Sequence, residues 1–402
     1  MTLYSAKIVD LGKIVTGKTP STKNKENFGG NIPFITPVDM SYNRNVFSTE
    51  RYVSSKGTES VKGCILPPKT VCVSCIGSDM GKSVITTRTS VTNQQINSVI
   101  VNEEHNYMYV YYLMRTLENT IKSLGKNGTA VPILSKSKFS DIDIQVHDLE
   151  SQCRIAKILS AYDNLIENNQ KQIKLLEEAA QRLYKEWFVN LRFPEYENTP
   201  IIDGVPQGWE EYAIAELCER INAGGTPSRR NKNYWDNATI KWYKTQELQD
   251  CWLIDSDEKI SVEGQSNSSA KFFPENTILM AIYASPTLGR LGVLDSAATC
   301  NQAALCLKAD ETKISWQWLY EKLYELRDHY NGIARGAGQQ NISGEVVKQT
   351  IVLCPTKRIV DKYTQIVAPL FEMRRILQKQ NIRLTEARDR LLPKLMSGEL
   401  EV

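Results

Sequence analysis

Ile14–Ser21 reads IVTGKTPS, and Ile221–Ser228 reads INAGGTPS. Five of the eight positions agree, at an offset of 207 residues from Ile14 to Ile221. The first copy, extended back to Gly12, also fits the phosphate loop G-x-x-x-x-G-K-[ST] of nucleotide hydrolases. That loop needs a helix opening at its Lys-Thr pair, so that free amides face the phosphates. Here Pro20 follows at once, and STKNKENFGG has no apolar period for a helix. In the second copy Lys18 becomes Gly225 and Gly12 falls opposite Glu219. What recurs is G-x-T-P-S, a turn whose backbone is set by Gly and Pro. The sequence therefore reads as an internal repeat, with a P-loop NTPase as the alternative.

The repeat extends in both directions. NIPFITPVDM from Asn31 pairs with TIKWYKTQEL from Thr239, each an aromatic strand followed by an acid, Asp39 or Glu247. PKTVCVSCIGS pairs with PENTILMAIYAS, an apolar strand ending near Ser78 or Ser285. Gly81-Lys82 matches Gly289-Arg290, and Asn93-Gln94 matches Asn301-Gln302. Aromatic helical stretches follow, MYVYYLMRTL and WQWLYEKLYEL, each before a glycine-bearing loop, LGKNGTAV or ARGAGQQN.

Both halves finish on long helices. QKQIKLLEEAAQRLYKEWF from Gln170 aligns with QKQNIRLTEARDRLLPKLM from Gln378, identical at eight of nineteen positions. Ile155, Tyr162, Leu165, Ile173, Leu176, Ala180, Leu183 and Trp187 mostly follow 3- and 4-residue steps. Ile366, Leu370, Met373, Leu377, Leu384, Ala387, Leu391 and Leu395 do the same. This is a coiled-coil seam, with Asn169 in the first helix's part of it and Gln380 or Asn381 in or beside the second's. The stretch Phe193–Trp209 is rich in Pro and Gly and reads as a break. The expected organisation is a first domain over 1–147, a helical region over 148–192, a linker over 193–208, a second domain over 209–354 and a second helical region over 355–402. The fold class is α+β, two similar mixed α/β domains joined by long antiparallel helices with pseudo-twofold character.

Charge and composition exclude several classes. No apolar run reaches the ~20 residues of a membrane span, and Met1–Lys13 lacks the apolar core of a signal peptide, which predicts a cytoplasmic chain. Residues 1–147 carry a net +6, residues 209–354 a net −4 and residues 355–402 a net +4. The basic first domain fits a polyanion. Cys72 and Cys75 form a lone C-x-x-C, opposite Leu279 and Ile282 in the second copy, which predicts small buried strand residues rather than a metal pair. His105, His147 and His329 are too far apart in sequence to suggest a metal site. Neither an [ND]-P-P-[FYW] nor an F-x-G-x-G methyltransferase loop appears. Asp257-Glu258-Lys259 is the nearest approach to a nuclease centre and reads as a solvated turn.

The two G-x-T-P turns, the N-Q pairs, the helix opening at Leu149–Ile155 and the ending LLPKLMSGELEV converge on one family. Over its whole length the sequence resembles the DNA-specificity subunit of Type I restriction–modification systems. It departs from the family pattern in one place: the second helix opens PTKRIVDKY without the usual Glu-Gln pair, and the first keeps only Gln152. The resemblance implies a non-catalytic subunit whose two target-recognition domains each read half of a split double-stranded DNA sequence. It implies two methyltransferase subunits docked on the helices and restriction subunits completing the assembly. S-adenosylmethionine, ATP and Mg are then held by those partners, and no cofactor or metal by this chain. The alternatives are a self-contained NTPase or nuclease, or a bipartite DNA-binding protein acting alone.

Polar residues that flank Gly and Pro turns at matching places are the candidate DNA contacts. In the first domain they are Lys18, Thr19, Ser21, Lys23, Lys25, Lys82, Arg88, Lys126 and Thr129. In the second they are Thr226, Ser228, Arg229, Arg230, Lys232, Lys244, Arg290, Arg335, Gln339 and Gln340. Lys18→Ala is expected to flatten the salt dependence of DNA binding by a slope of about 0.9, the value of one phosphate contact. It is expected to leave nucleotide hydrolysis untouched, and loss of an ATPase activity in this variant would restore the P-loop reading.

Overall fold

The computed structural model describes residues 2–40, 44–125, 132–283, 287–336 and 341–402, with only the backbone of Arg335 and Gly336. The chain divides into two compact units, Met1–Asn168 with Asn381–Val402, and Asn169–Gln380. Both boundaries fall inside the long helices.

The repeat is visible in the sheets. In the first unit the strands run Gly12–Thr16, Ile96–Val101, Val71–Ser74, Ser83–Thr86, Asn45–Val46. In the second unit they run Cys218–Ala223, Ala304–Ala309, Ile278–Ala281, Leu291–Leu294, Cys251–Leu253, the same order. In each, four strands are antiparallel and the fifth joins in parallel. A smaller sheet accompanies each. It is built on Phe28–Ile35 between Arg51–Val53 and Ser90–Thr92 in the first unit. In the second it is built on Ile240–Tyr243 between Glu258–Ile260 and Thr299–Cys300. The central strands are buried on both faces, which explains their unbroken apolar runs. Cys72 lies in such a strand, and burial pushes its thiol up to about 12 and that of Cys75 to about 11. Both therefore stay protonated and act as small core residues, as the repeat predicts.

The aromatic stretches form helices Tyr107–Thr116 and Trp316–Glu325. Asn106 caps the first by accepting from the amides of Met108 and Tyr109, and Ser315 caps the second through Trp318. Tyr109, Tyr112, Trp318 and Tyr320 are fully buried. Gln152 has a structural task at the first long helix. It is buried, donates to the His147 carbonyl at 2.8 Å, meets His105 Nδ1 at 3.0 Å and accepts from the Asn106 amide at 2.8 Å. Two histidines that look scattered in sequence thus share one glutamine. In the second unit buried Val360 takes the matching position, and the helix still begins at Lys357. The missing Gln costs that helix no start, because an apolar side chain fills the same space.

The long helices are Leu149–Tyr184, continued by a π-turn over Lys185–Val189, and Lys357–Ser397. Within the first unit Asp163 pairs with Arg388, and Ile155, Ala156 and Leu159 share a core with Leu392, Leu395 and Met396. Within the second unit Asn169 donates to Gln380 at 3.4 Å, Glu177 faces Arg374 at 3.6 Å, and Tyr184 stacks on Tyr363 at 6.2 Å. Rising numbers on one helix meet falling numbers on the other, so the helices run antiparallel in each unit.

The expected apolar seam is only partly formed. Leu165, Ile366 and Met373 are about half exposed (52%, 49% and 45%), while their neighbours Ile166 and Val367 are buried. The inward positions are shared with Asp163, Asn169, Arg374 and Arg388, all under 9% exposed, so polar pairs displace part of the apolar stripe outward. The 193–208 stretch is packed rather than free: Phe193 stacks on Trp209 at 5.0 Å, and Glu195 pairs with Arg358 and Lys362.

Glu321 in the helix Trp316–Glu325 is 2% exposed, and its Oε1 has no hydrogen-bond partner among the described residues. Burial pushes its carboxyl up to about 8, against the attraction of Arg374 and with the repulsion of Glu177 and Asp250. The folded state then holds a proton that the unfolded state releases near 4.5. Stability should fall as pH rises from about 4.5 to about 8. Glu321→Gln should remove most of that slope in urea midpoints measured across the window; a variant as pH-sensitive as the wild type would show that Glu321 does not set it.

Candidate nucleic-acid interface

The first candidate turn grows from the end of the strand Gly12–Thr16. Gly17 presses on the next strand connection: a Cβ there would lie 2.2 Å from the Asn93 carbonyl oxygen and 2.2 Å from Thr92 Oγ1. Gly224 does the same, with a Cβ 2.3 Å from the Cys300 and 2.4 Å from the Asn301 carbonyl oxygens. The glycine of G-x-T-P-S is thus fixed by close backbone approach, not by phosphate. No helix follows Lys18; the next element is a three-residue turn, Lys25–Asn27. The P-loop alternative lacks its helix.

The threonine is fixed in the same way twice. Thr19 Oγ1 donates to Gln94 Oε1 at 2.8 Å, and Thr226 Oγ1 donates to Gln302 Oε1. The carbonyl of the closing serine is also held in both copies, by different donors. Asn27 Nδ2 donates to Ser21 at 2.9 Å, and Trp235 Nε1 donates to Ser228 at 3.2 Å. Trp242 Nε1 adds a bond to the Gly225 carbonyl at 2.9 Å. Each turn is therefore rigid before any ligand arrives.

Strand register gathers further loops at the same sheet end. Thr16 pairs with Asn97, Ile96 with Ser74, and Val73 with Ser83. The Gln95 carbonyl accepts from Cys75, and the Cys75 carbonyl accepts from Leu134 at 3.0 Å. The turn, the N-Q connection, the 75–82 hairpin and the C-terminal flank of the glycine-bearing loop are thereby contiguous. In the second unit the amide of Ile282 donates to Ala303, and that of Ile342 donates to Ile282, each at 3.0 Å, which repeats the arrangement.

The candidate residues divide accordingly. Lys18, Ser21, Lys23 and Lys25 are exposed on the first turn and its continuation, as are Ser228, Arg230 and Lys232 on the second. Lys82 and Arg290 sit at the hairpin corners after Gly81 and Gly289, and Lys82 pairs with Asp79 at 2.6 Å. Arg88 is not brought to this end; it follows Thr86 at the far end of its strand and lies 5.8 Å from the Tyr52 ring centroid. Arg229 and Lys244 both pair with Glu258, Lys244 at 2.8 Å. Glu258 is held below the usual carboxylate range by its bonds to Arg229 and then Lys244, and the bond to Glu258 raises Lys244. Lys126, Thr129, Gln339 and Gln340 lie outside the described residues, as do Ser285 and the side chain of Arg335. Gln94, Gln302 and Glu258 join the site only through the structure. The repeated N-Q pair was the available signal for the glutamines. The counterpart of Glu258 in the first copy is Arg51, of opposite charge, so the repeat carried no signal for it.

A family model described as the Type I restriction modification DNA specificity domain matches residues 4–178 and again 206–386. The chain belongs to that family. Two matches in one chain coincide with the two copies of the turn-bearing sheet. Among specificity-family relatives, the Type I restriction enzyme MjaIX specificity subunit of Methanocaldococcus jannaschii is 28% identical over 98% of this chain and 93% of its own length. The HindI specificity subunit of Haemophilus influenzae is 34% identical over 42% of this chain and 37% of its own. The crystal structure of a Type I restriction-modification system S subunit from M. genitalium shares the fold, with a TM-score of 0.63 at 16% identity, covering 98% of this chain and 96% of that one. Among the described residues no helix is long and apolar enough to cross a membrane.

Gly17→Ala should force the Asn93 connection apart and destabilise the chain by about 1–3 kcal/mol, the usual cost of overpacking. Gly63→Ala, with nothing within 4 Å of its added Cβ, is the control. Equal urea midpoints for the two variants would remove the close-approach account of the repeated glycine.

Proposed function

We propose that this chain is the non-catalytic DNA-reading subunit of a Type I restriction–modification assembly, with each unit reading one half of a bipartite duplex target. The observation that carries this reading is the turn held by Thr19–Gln94 and Thr226–Gln302, built twice on the same sheet end with exposed basic and amide side chains around it. Rigid loops rich in Lys, Arg, Ser and Gln suit phosphate positioning and base-edge contact. Among the described residues no group of His, Cys, Asp and Glu is arranged to hold a metal ion. On this reading, which follows the family resemblance, methylation of adenine belongs to partner subunits carrying S-adenosylmethionine, and ATP- and Mg-dependent steps to restriction subunits.

The long helices supply a surface for those partners. Leu165 and Ile382 in the first unit, and Leu175, Ile366, Met373 and Ile376 in the second, are large apolar side chains at least 39% exposed. Apolar side chains grouped on a helix surface mark protein contact sites. A cytoplasmic location fits a chain that works on the genome beside such partners.

The test is co-expression with the cognate methyltransferase subunits and mapping of methylated adenines across the genome. A bipartite motif is expected. Replacing both Thr19 and Gln94 by Ala should relax or abolish one half of that motif and leave the other half as it was. A single undivided motif, or a change in both halves, would contradict the assignment of one half-site to each unit.

A further inference from the structure

Beside each turn two aromatic rings are set edge to face, both from the small sheet in the first unit and one from it in the second. Phe28 and Phe34 lie 6.1 Å apart in the first unit, and Trp235 and Trp242 lie 5.1 Å apart in the second. An arginine covers each pair. The Arg51 guanidinium lies 4.3 Å from the Phe28 centroid and 5.5 Å from that of Phe34. The Arg229 guanidinium lies 3.6 Å from Trp235 and 5.1 Å from Trp242.

The two arginines come from different places in the repeat. Arg51 stands across the sheet from Phe34, where the second unit has Glu258 across from Trp242. Arg229 follows the second turn, where the first unit has Thr22, and Lys244 stands where the first unit has Thr36. Glu258 pairs with both cations. Arg229 and Lys244 less Glu258 leave one positive charge, the same as Arg51 alone. The nearby acids cancel in this comparison: Asp39 and Glu247 cap matching turns, and each accepts the amide of a matching acid, Glu50 or Asp257. A stacked guanidinium presents its planar edge of N–H groups to an oxyanion, a position that Glu258 partly fills at Arg229, and gives up little conformational freedom on binding. Nothing in the core requires these charges, since both arginines are exposed.

We infer that the arginine seated on the aromatic pair is a DNA phosphate contact in both units, Arg51 in the first and Arg229 in the second, and that Glu258 restrains the second. Arg51 is a contact that the turn motifs do not mark. Glu258 holds Arg229 on Trp235 and cancels one of two cations, so the more cation-rich site pulls on any duplex no harder than the other. The inference rests on the DNA-reading role proposed above and assigns residues to it.

The experiment is titration of the full-length chain with a mixed-sequence duplex at several salt concentrations, read by fluorescence anisotropy. Arg51→Ala should lower the slope of log affinity against log salt by about 0.9, and Arg51→Lys should keep it, because the charge remains. Arg229→Thr should lower it by a similar amount. Arg229→Thr combined with Lys244→Thr and Glu258→Arg copies the first unit's arrangement and should restore the wild-type slope. Glu258→Gln should tighten binding and steepen the slope by about 0.9. A wild-type slope in Arg51→Ala, an equal loss in Arg51→Lys, failure of the triple exchange to restore binding, or an unchanged Glu258→Gln each overturn the inference while DNA binding stands. A wild-type chain whose binding to duplex ignores salt overturns the DNA-reading role and this inference together.

Discussion

Each unit depends on burying the end of a helix that the other repeat begins. Ala180, Tyr184, Trp187 and Phe188 belong to the helix that follows the first domain, yet they lie in the core of the second unit. Leu392, Leu395 and Met396 end the helix that follows the second domain, yet they lie in the core of the first. These helix ends match in apolar character rather than in residue identity, Tyr184, Trp187 and Phe188 standing where the second helix has Leu392, Leu395 and Met396, and the match has a physical cause. Each must present an apolar end to a core of the same design. Phe188 alone stacks within 6.2 Å of Tyr184, Trp187, Trp209, Trp318 and Tyr363. Each unit's core therefore includes helix residues that sequence alone assigns to the other repeat.

Polar pairs inside the helical contacts serve this exchange. Asp163 accepts from both Tyr112 and Arg388, and all three are buried. Arg374 donates to the Asp250 carbonyl at 3.1 Å and faces Glu177. A one-turn slip of either helix would leave such groups buried and unpaired, at a cost of several kcal/mol. An all-apolar seam would tolerate that slip. The register is therefore set by charge, and the apolar residues that charge displaces, Leu165, Ile366 and Met373, are left exposed.

The turn motif was legible in sequence, although its first copy pointed to the wrong chemistry. Gly17 and Thr19 look like a phosphate loop in isolation. Comparison with Gly224 and Thr226 removes the lysine and leaves a glycine required by backbone approach and a threonine required by glutamine. Helix periodicity was legible to within one residue, since Leu165 and Ile366 were expected inside and Ile166 and Val367 are there instead. Pro369 and Pro393 lie within the continuous helix Lys357–Ser397, where local preference alone would end it. Packing of Val367, Phe371 and Leu395 outweighs that preference.

The sequence by itself determined the repeat, the two long helices, the apolar strands and the kinship with DNA-specificity subunits. These follow from local periodicity and self-comparison, which need no knowledge of what touches what. Tertiary structure decided which cations stand together. Arg51 and Arg229 occupy different positions in the repeat and share no motif, yet each lies over the matching aromatic pair. Glu258 reads in sequence as part of a solvated turn, and only the sheet register places it against Arg229 and Lys244. Charge acts through space at a few ångströms and is blind to sequence separation, so compensation of this kind is decided where strands cross and not along the chain.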